Sequence, residues 1–522
     1  MTTARCLGCT LLGVEGLAVE VQVDIRGGLP GLDIVGLPDR AVSEAARRVR
    51  AAVGNSGFRL PARRITVNLA PADLPKQGAA LDLPIAAALL VAAGCVPRQR
   101  VDGVGFWGQL SLDGAVRPVP GALPAALALR SSGLAAMVTA LADVPAAALS
   151  GLDVHGLATL RDLASGQSSQ PGGGPEIIAA SPPDPGFVES ERSFLAVRGQ
   201  PGASRALLIA AAGEHSTVFF GPPGIGKTLL ARAVHALLPP LDRHEALEAA
   251  AINSAGGLLF GTFVGGPHAP GPVRPVRTPS TSSGWRAIFG GGQPPRAGEI
   301  TLAHRGVLVL DELHLYRPEV LSGLAAVMEN GSITVRYRGR DLRLPARAQV
   351  VGTSNLCACG RTGAVAGGCV CSRAARRAFW RRLSGPLLDR IDLQVEMSDV
   401  PACELGLHAA RAGPAQGEGR DGLSGARAAV ADARARQAAR YGPGVTNARA
   451  DEDVFRSSLK IDQAGLDLLA HAQAALGLSA RAYYRTLRVA ATAADLGSAG
   501  GAVNADHVAE ALAYRSRLRP DL

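Results

Sequence analysis

Lysine is almost absent from this 522-residue chain: Lys76, Lys227 and Lys460 are the only three among 54 basic residues. With the alanine excess, this reads as coding bias rather than function. No run reaches the roughly 18–20 uninterrupted apolar residues that a bilayer span needs, so no membrane partner is expected. The first residues, MTTARCLGCTLLGVEG, hold one early arginine and no apolar block, which argues against a secretory leader. Disulfide architecture is excluded in a different way. The eight cysteines are clustered rather than spread through the chain, and a reducing cytoplasm with metal-bound or free thiols fits them better. The 64 glycines and 35 prolines follow no fixed period, so they imply turns and linkers and not a fibre. What remains is a soluble globular composition, 47% apolar and 19% charged, on a chain long enough for about three domains. The formal charge of +10 favours polyanionic partners, nucleic acid first.

Residues 1–165 alternate strand-like and helical patterns. Ala18–Ile25 has the period of two of a half-buried strand, Ala41–Val53 reads as a helix, and Arg64–Leu69 reads as a second strand. Residues 166–192 are rich in Gly, Ser and Pro and read as a flexible linker. From 193 to 400 strands and helices alternate again, as in an α/β domain with a mainly parallel sheet. Residues 401–458 are rich in Ala, Arg and Gly, a variable connecting segment, and 459–522 is helical only.

The strongest local signal follows the apolar strand at 216–220. Gly221-Pro222-Pro223-Gly224-Ile225-Gly226-Lys227-Thr228 matches GxxxxGK[ST] between a strand and a helical run. Its glycines let backbone N–H groups face an anion, and the helix adds its positive end. Lys227 would neutralise the β- and γ-phosphates of ATP, and Thr228 would ligate Mg²⁺. Gly306–Leu310 is an apolar strand that delivers Asp311 and Glu312 at its C-terminal edge, where parallel sheets bind ligands. Asp311 is expected to hold Mg²⁺ through water, and Glu312 to orient or deprotonate the attacking water. A third apolar strand, Gln349–Ser354, ends in Asn355, which could hold the γ-phosphate or the water.

With these residues in view, the runs GEITLAHRGVLVLDELHLY (298–316), SGPLLDRIDLQVEM (384–397) and LSARAYYRTLRVA (478–490) resemble the ComM/YifB Mg-chelatase-like AAA+ ATPases. So do the N-terminal runs GLPGLDIVGLPDRAVSEAARRVRAAVGNSGF and RITVNLAPADLPKQGAALDLPIA. The resemblance implies an N-terminal α+β domain like that of Lon protease, an AAA+ core with a parallel sheet and a C-terminal helical lid. It also implies a homo-hexameric ring with ATP bound between subunits. Asn355 would then be sensor 1. Arg390 would be the arginine finger reaching a neighbour's ATP, or else an intrachain partner of Asp389 or Asp392. Arg481 would be sensor 2 on the lid, with Arg485 and Arg488 in reserve. Aligning Pro75–Ala79 with the Lon motif puts Ala80 where the nucleophilic serine would stand, so no peptidase activity is expected, and Lys76 becomes a structural or interface residue.

Cys357-Ala-Cys359 and Cys369-Val-Cys371 bring four thiols near one another, a set suited to Zn²⁺. Reduced structural thiols are the other reading. Relatives often carry prolines here (NPCPCG), replaced in this chain by Leu356 and Ala358. Cys6 and Cys9 form an isolated CxxC without an assigned role. Ser332–Leu344 reads as a β-hairpin turning near Gly339-Arg340, with Ile333, Val335 and Tyr337 on one face and Arg336 and Arg338 on the other. In ring ATPases related to minichromosome-maintenance helicases such a hairpin lines the pore, and Arg336, Arg338 and Arg340 would grip DNA phosphates. Arg373, Arg376, Arg377, Arg381 and Arg382 add a second basic run. Residues 266–297 read as a long Gly/Pro-rich insertion and mobile pore loop, with Ser280 and Thr281 where relatives tend to have histidines. The expected function is an ATP-driven motor on single-stranded or branched DNA, serving branch migration in recombination or natural transformation. The competing reading is a protein-remodelling or chelatase-like chaperone without DNA activity; no residues argue for a porphyrin site.

Overall fold

The computed structural model describes residues 2–166, 185–258, 272–363, 368–383, 385–398, 420–497 and 502–515. In the N-terminal domain the strand Glu15–Arg26 buries Val19, Val21, Val23 and Ile25 on one face, as its alternation dictates. It pairs antiparallel with Thr2–Leu12 on one side and Arg64–Ala70 on the other. Gly31–Val35 extends this sheet at one edge, while Val104–Trp107, Ala136–Ala140 and Asp153–Leu157 extend it in parallel at the other, making seven strands. The helix Arg40–Asn55 starts where Asp39 accepts a hydrogen bond from the Val42 N–H at 2.8 Å, and it buries Val42, Ala45, Val49, Ala52 and Val53 along one stripe. Cys6 and Cys9 lie three residues apart on the first strand and therefore enter different cores on its two faces. Burial pushes each thiol up to about 12. They cannot share a metal or a disulfide.

The second domain is built on five parallel strands in the order Val276–Arg277, Val307–Leu310, Gln349–Ser354, Thr217–Phe220 and Leu393–Glu396. Its central strands are buried on both faces. Phe219, Val307, Val309 and Val351 enter one core, and Val218, Phe220, Leu308, Leu310 and Val350 enter another. This arrangement explains why the strands read as continuous apolar runs. The sheet edge requires a correction. Residues 272–297 are not a mobile loop: they supply the edge strand Val276–Arg277, the helix Trp285–Phe289 and a short ribbon of Gly290–Gly291 with Arg296–Ala297. Arg277 clamps Glu299 through bonds of 2.6 and 3.0 Å, and Ile288 and Phe289 are buried, so contacts distant in sequence order a Gly/Pro-rich composition. Residues 266–271 lie outside the described residues.

Of the expected linker, 167–184 lie outside the described residues, and the chain is helical from Pro185 to Ala196. Of the expected connecting segment, 401–419 lie outside as well. The remainder contains a 22-residue helix, Arg420–Tyr441, which buries Leu423, Ala426, Val430 and Ala433 in the same core as the parallel sheet. On that helix Arg434 donates to the Ala211 carbonyl at 2.7 and 3.0 Å, capping the helix Pro201–Gly213. The helices Gln463–Leu476, Ala480–Asp495 and Ala505–Ala513 form the lid.

A buried polar cluster joins lid to sheet. His215 lies between Asp392 at 3.2 Å and Thr492 of the lid at 2.7 Å, and Arg485 of the lid donates to Asp392 at 2.6 Å. The N-terminal domain is seated on the second through Leu123, which packs against Leu241, Ala249 and Ala250. Among the described residues no helix is long and apolar enough to cross a membrane.

Candidate functional site: a nucleotide centre with a thiol cluster beside it

The phosphate loop leaves the strand Thr217–Phe220 and enters the helix Lys227–Leu237. Gly224 and Gly226 adopt φ of 86° and 92°, a region where a side chain is strained. Gly221 is needed for a different reason: a Cβ there would lie 2.3 Å from Ile225 Cδ1 and 2.7 Å from the Met397 carbonyl. The loop thus makes a tight curl between strand and helix that residues other than glycine would not fit at these positions. Lys227 is buried, and its ammonium donates to the carbonyls of Gly221 at 2.8 Å and Pro222 at 2.7 Å and to Asn355 Oδ1 at 3.2 Å. Burial lowers its pKa, while the charges of Asp311 and Glu312 act in the opposite direction.

The strand Gln349–Ser354 lies between the phosphate-loop strand and the acidic strand, so Asn355 falls between Lys227 and the carboxylates. Thr228 Oγ1 donates to Asp311 at 3.1 and 3.2 Å, and Thr353 Oγ1 donates to the same carboxylate at 2.5 Å. Glu312 is exposed, has a left-handed φ of 51°, and donates its N–H to Thr353 Oγ1 at 2.9 Å. Thr353 therefore orients both members of the acidic pair, a role the sequence reading missed. The signal was available, because Thr353 is a hydroxyl residue near the C-terminal end of the strand Gln349–Ser354, where the parallel sheet gathers its polar groups. Next to Glu312, His314 packs against Phe379 with ring centroids 5.3 Å apart, and burial lowers its pKa. Thr228 and Asp311 are a hydroxyl–carboxylate pair fit to hold Mg²⁺, which when bound would neutralise charge on β- and γ-phosphoryl oxygens.

Lys227, Thr228, Asp311, Glu312 and Asn355 thus converge. Arg390 and Arg481 lie elsewhere. Arg390 binds Glu329 at 2.6 and 3.2 Å, and Arg481 binds the other oxygen of the same carboxylate at 3.0 Å. These two charges hold Glu329 below the usual carboxylate range, the hydrogen bond from Arg390 contributing most. The Asp392 partner considered for Arg390 is taken by Arg485 instead, and Arg488 donates to the Asn447 carbonyl at 2.6 Å.

The hairpin pairs Ser332–Tyr337 with Arg340–Pro345. It turns at Arg338 and Gly339, one residue earlier than expected, with φ of 47° and 80° as a two-residue primed turn requires. Directly paired residues share a face, so Arg336 lies with Asp341 on the solvent side while Arg340 lies with Tyr337 on the apolar side. Arg336 is 78% exposed, and Arg338 sits at the tip with its guanidinium 5.6 Å from the Tyr337 ring. Arg340 instead pairs with Asp73 of the N-terminal domain, and Gln77 donates to Tyr337 Oη at 3.1 Å. Nearby, Lys76 is fully buried and donates to the Pro71 carbonyl; Ala80 is buried as well.

Cys357, Cys359, Cys369 and Cys371 have their sulfurs within 4.8 Å of one another. The separations are 3.4 Å for Cys357–Cys359, 3.7 Å for Cys359–Cys369 and 3.6 Å for Cys369–Cys357. A disulfide would need about 2.05 Å. Four Zn–S bonds of about 2.3 Å at tetrahedral angles give S–S edges of about 3.8 Å, close to these spacings, so the set fits a thiophilic tetrahedral ion. Backbone N–H groups of Arg361 and Val370 pull the Cys359 thiol down to about 6, while its neighbouring thiols push Cys371 up to about 11, so the four do not ionise alike without an ion between them.

A phosphate loop, an acid pair on a nearby strand of the same parallel sheet and a polar residue on the strand between them are the arrangement of a P-loop domain of AAA+ organisation. Comparison with known families resolves it further. The profile described as magnesium chelatase, subunit ChlI, matches residues 193–405; subunit ChlI of Mg-chelatase matches 21–143; and the ChlI C-terminal profile matches 424–515, beginning inside the expected connecting segment. An uncharacterized protein of Mycobacterium tuberculosis, Rv2897c, is 39% identical over 99% of both chains. The competence protein ComM of Haemophilus influenzae is 36% identical over 97% of this chain and 96% of its own. The uncharacterized protein YifB of Escherichia coli is 36% identical over 97% and 95%. The chain belongs to the ComM/YifB family of magnesium-chelatase-like AAA+ proteins. Membership suggests an ATPase that uses ATP and Mg²⁺.

Proposed function

We propose that this protein is a ring-forming motor, a homo-hexamer, that hydrolyses ATP with Mg²⁺ to move on or remodel DNA, in branch migration during recombination or the uptake of transforming DNA. The observation that carries the ATPase is the convergence of Lys227, Thr228, Asp311, Glu312 and Asn355 at the end of one parallel sheet. Lys227 and the loop amides bind the triphosphate, Thr228 and Asp311 hold Mg²⁺, Glu312 takes the proton of the attacking water, and Asn355 orients the γ-phosphoryl group. Arg390 acts on a neighbour's ATP and Arg481 on the chain's own, each on leaving Glu329.

The DNA part rests on the exposed basic face of the hairpin, where Arg336 and Arg338 meet phosphates without reading bases, on the charge of +10, and on the competence role in the name of one relative. Arg340 joins them once freed from Asp73. The four thiols hold Zn²⁺ in a reducing cytoplasm. The test measures ATP hydrolysis with single-stranded, forked and four-way-junction DNA at low and raised salt, with Lys227→Ala (no nucleotide binding) and Glu312→Gln (binding without turnover) as controls. Stimulation by DNA that falls steeply with salt supports the reading. ATPase activity with neither stimulation nor binding refutes the DNA part and leaves the protein-remodelling reading.

A further inference from the structure

The thiol cluster is not a remote staple. Cys357 follows Asn355 by two residues, and the segment between them is anchored by Leu356, which is buried in the core beside Phe220 and Leu313. Cys357 is itself fully buried. The loop after Cys359 then lies against the phosphate loop. A Cβ on Gly360 would stand 3.2 Å from Pro223 Cδ and 3.7 Å from Asn355 Nδ2, and one on Gly363 would stand 3.7 Å from Pro222 Cδ. Pro222 is also one of the carbonyl acceptors of Lys227, and Asn355 is its side-chain acceptor. The same stretch of backbone thus supplies two sulfurs of the cluster, one wall of the phosphate loop and a hydrogen bond to the phosphate-binding lysine.

We propose that Cys357, Cys359, Cys369 and Cys371 form a tetrathiolate centre for a thiophilic divalent ion, Zn²⁺, that braces the phosphate loop, so that nucleotide affinity depends on the metal. The inference rests on the nucleotide reading above and extends it. With the ion in place, residues 355–359 are fixed by the sheet and by the sulfurs of Cys357 and Cys359, and Gly360, next to the second of them, is held against Pro223. Without it, the Gly-rich loop is held only where it leaves the sheet at Leu356 and where it enters the helix Arg373–Arg382, whose Phe379 is buried in the same core, and binding must re-order the stretch between. The site needs no catalytic role for the ion, whose distance from the reacting atoms is set by the intervening loop.

Two preparations of the full chain test this: wild type, and the Cys369→Ser, Cys371→Ser double variant, which leaves the buried Cys357 in place. Zinc is measured by elemental analysis, affinity by fluorescence titration with a labelled ATP, and folding by circular dichroism. The expected result is about one zinc per wild-type chain and none in the variant. ATP affinity of the variant falls about tenfold or more, the effect of re-ordering a single backbone residue on binding, with unchanged helix content. Stripping wild type with a chelator gives the same loss, reversed by added Zn²⁺, which keeps the test valid if the variant misfolds. Equal affinity with and without metal overturns the coupling. A zinc-supplied wild type that retains no metal overturns the site. Metal-loaded wild type that binds no ATP instead refutes the nucleotide reading, and the proposal with it.

Discussion

Thr353 offers the sharpest test of how the acidic pair is held. Its hydroxyl donates to Asp311 at 2.5 Å and accepts the Glu312 N–H at 2.9 Å, while Glu312 is kept at a φ of 51°. A non-glycine residue in that region carries a cost of about 1–2 kcal/mol, so Glu312 relaxes once its N–H loses its acceptor. Thr353→Val keeps shape and volume nearly constant and removes only the oxygen. A hydrogen bond to a charged group contributes about 1.5–3 kcal/mol. If that is lost from the orientation of the attacking water, kcat falls roughly 10- to 150-fold, since about 1.4 kcal/mol is a factor of ten. Labelled-ATP affinity changes far less, because Lys227 and the loop are untouched. Thr353→Ser, which keeps the hydroxyl, restores most of the rate. Steady-state hydrolysis with parallel binding titrations measures both. A Thr353→Val protein with normal kcat, or a loss equal in the serine variant, would refute the positioning role.

Two further predictions concern stability. Burial, reinforced by neighbouring arginine charge, pushes His235 and His304 down to about 4, so each is neutral when folded and takes a proton on unfolding below its ordinary pKa near 6.5. Their contribution is complete above pH 6.5 and lost as pH falls toward 4, about 2 kcal/mol from each by pH 5; urea midpoints identical at pH 7 and pH 5 would contradict this. Despite the burial that opposes ionisation, Arg485 and His215 hold Asp392 well below the carboxylate range. Asp392→Asn leaves the partly exposed Arg485 with the Arg390 carbonyl but without its carboxylate partner and is expected to lose about 1.5–3 kcal/mol in urea unfolding at pH 7, where a loss under 1 kcal/mol would show that the cluster does not tie lid to sheet.

The parts of this protein legible in its sequence are those set by local spacing. Eight consecutive residues define the phosphate loop, and two carboxylates after an apolar strand define its partner, because a parallel sheet puts strand ends together regardless of detail. Contacts between segments far apart in the chain were not legible. Glu329 lies 61 residues from Arg390 and 152 from Arg481, and nothing near it marks it as their shared acceptor. Parity hid Arg340. Its distance from Arg336 in the sequence says nothing of its face until the turn is known to hold two residues. Composition misled at 272–297, where the Arg277–Glu299 clamp and a buried Phe289 order a stretch that reads as loop.

The docking of the hairpin couples its position to that of the N-terminal domain. Tyr337 and Arg340 are tied to Gln77 and Asp73, and the domain that carries those partners is itself seated on the helix Arg243–Ala255. The hairpin is therefore no free oar. Any swing of its tip must carry the N-terminal domain along or break the Arg340–Asp73 ion pair and the Gln77–Tyr337 hydrogen bond.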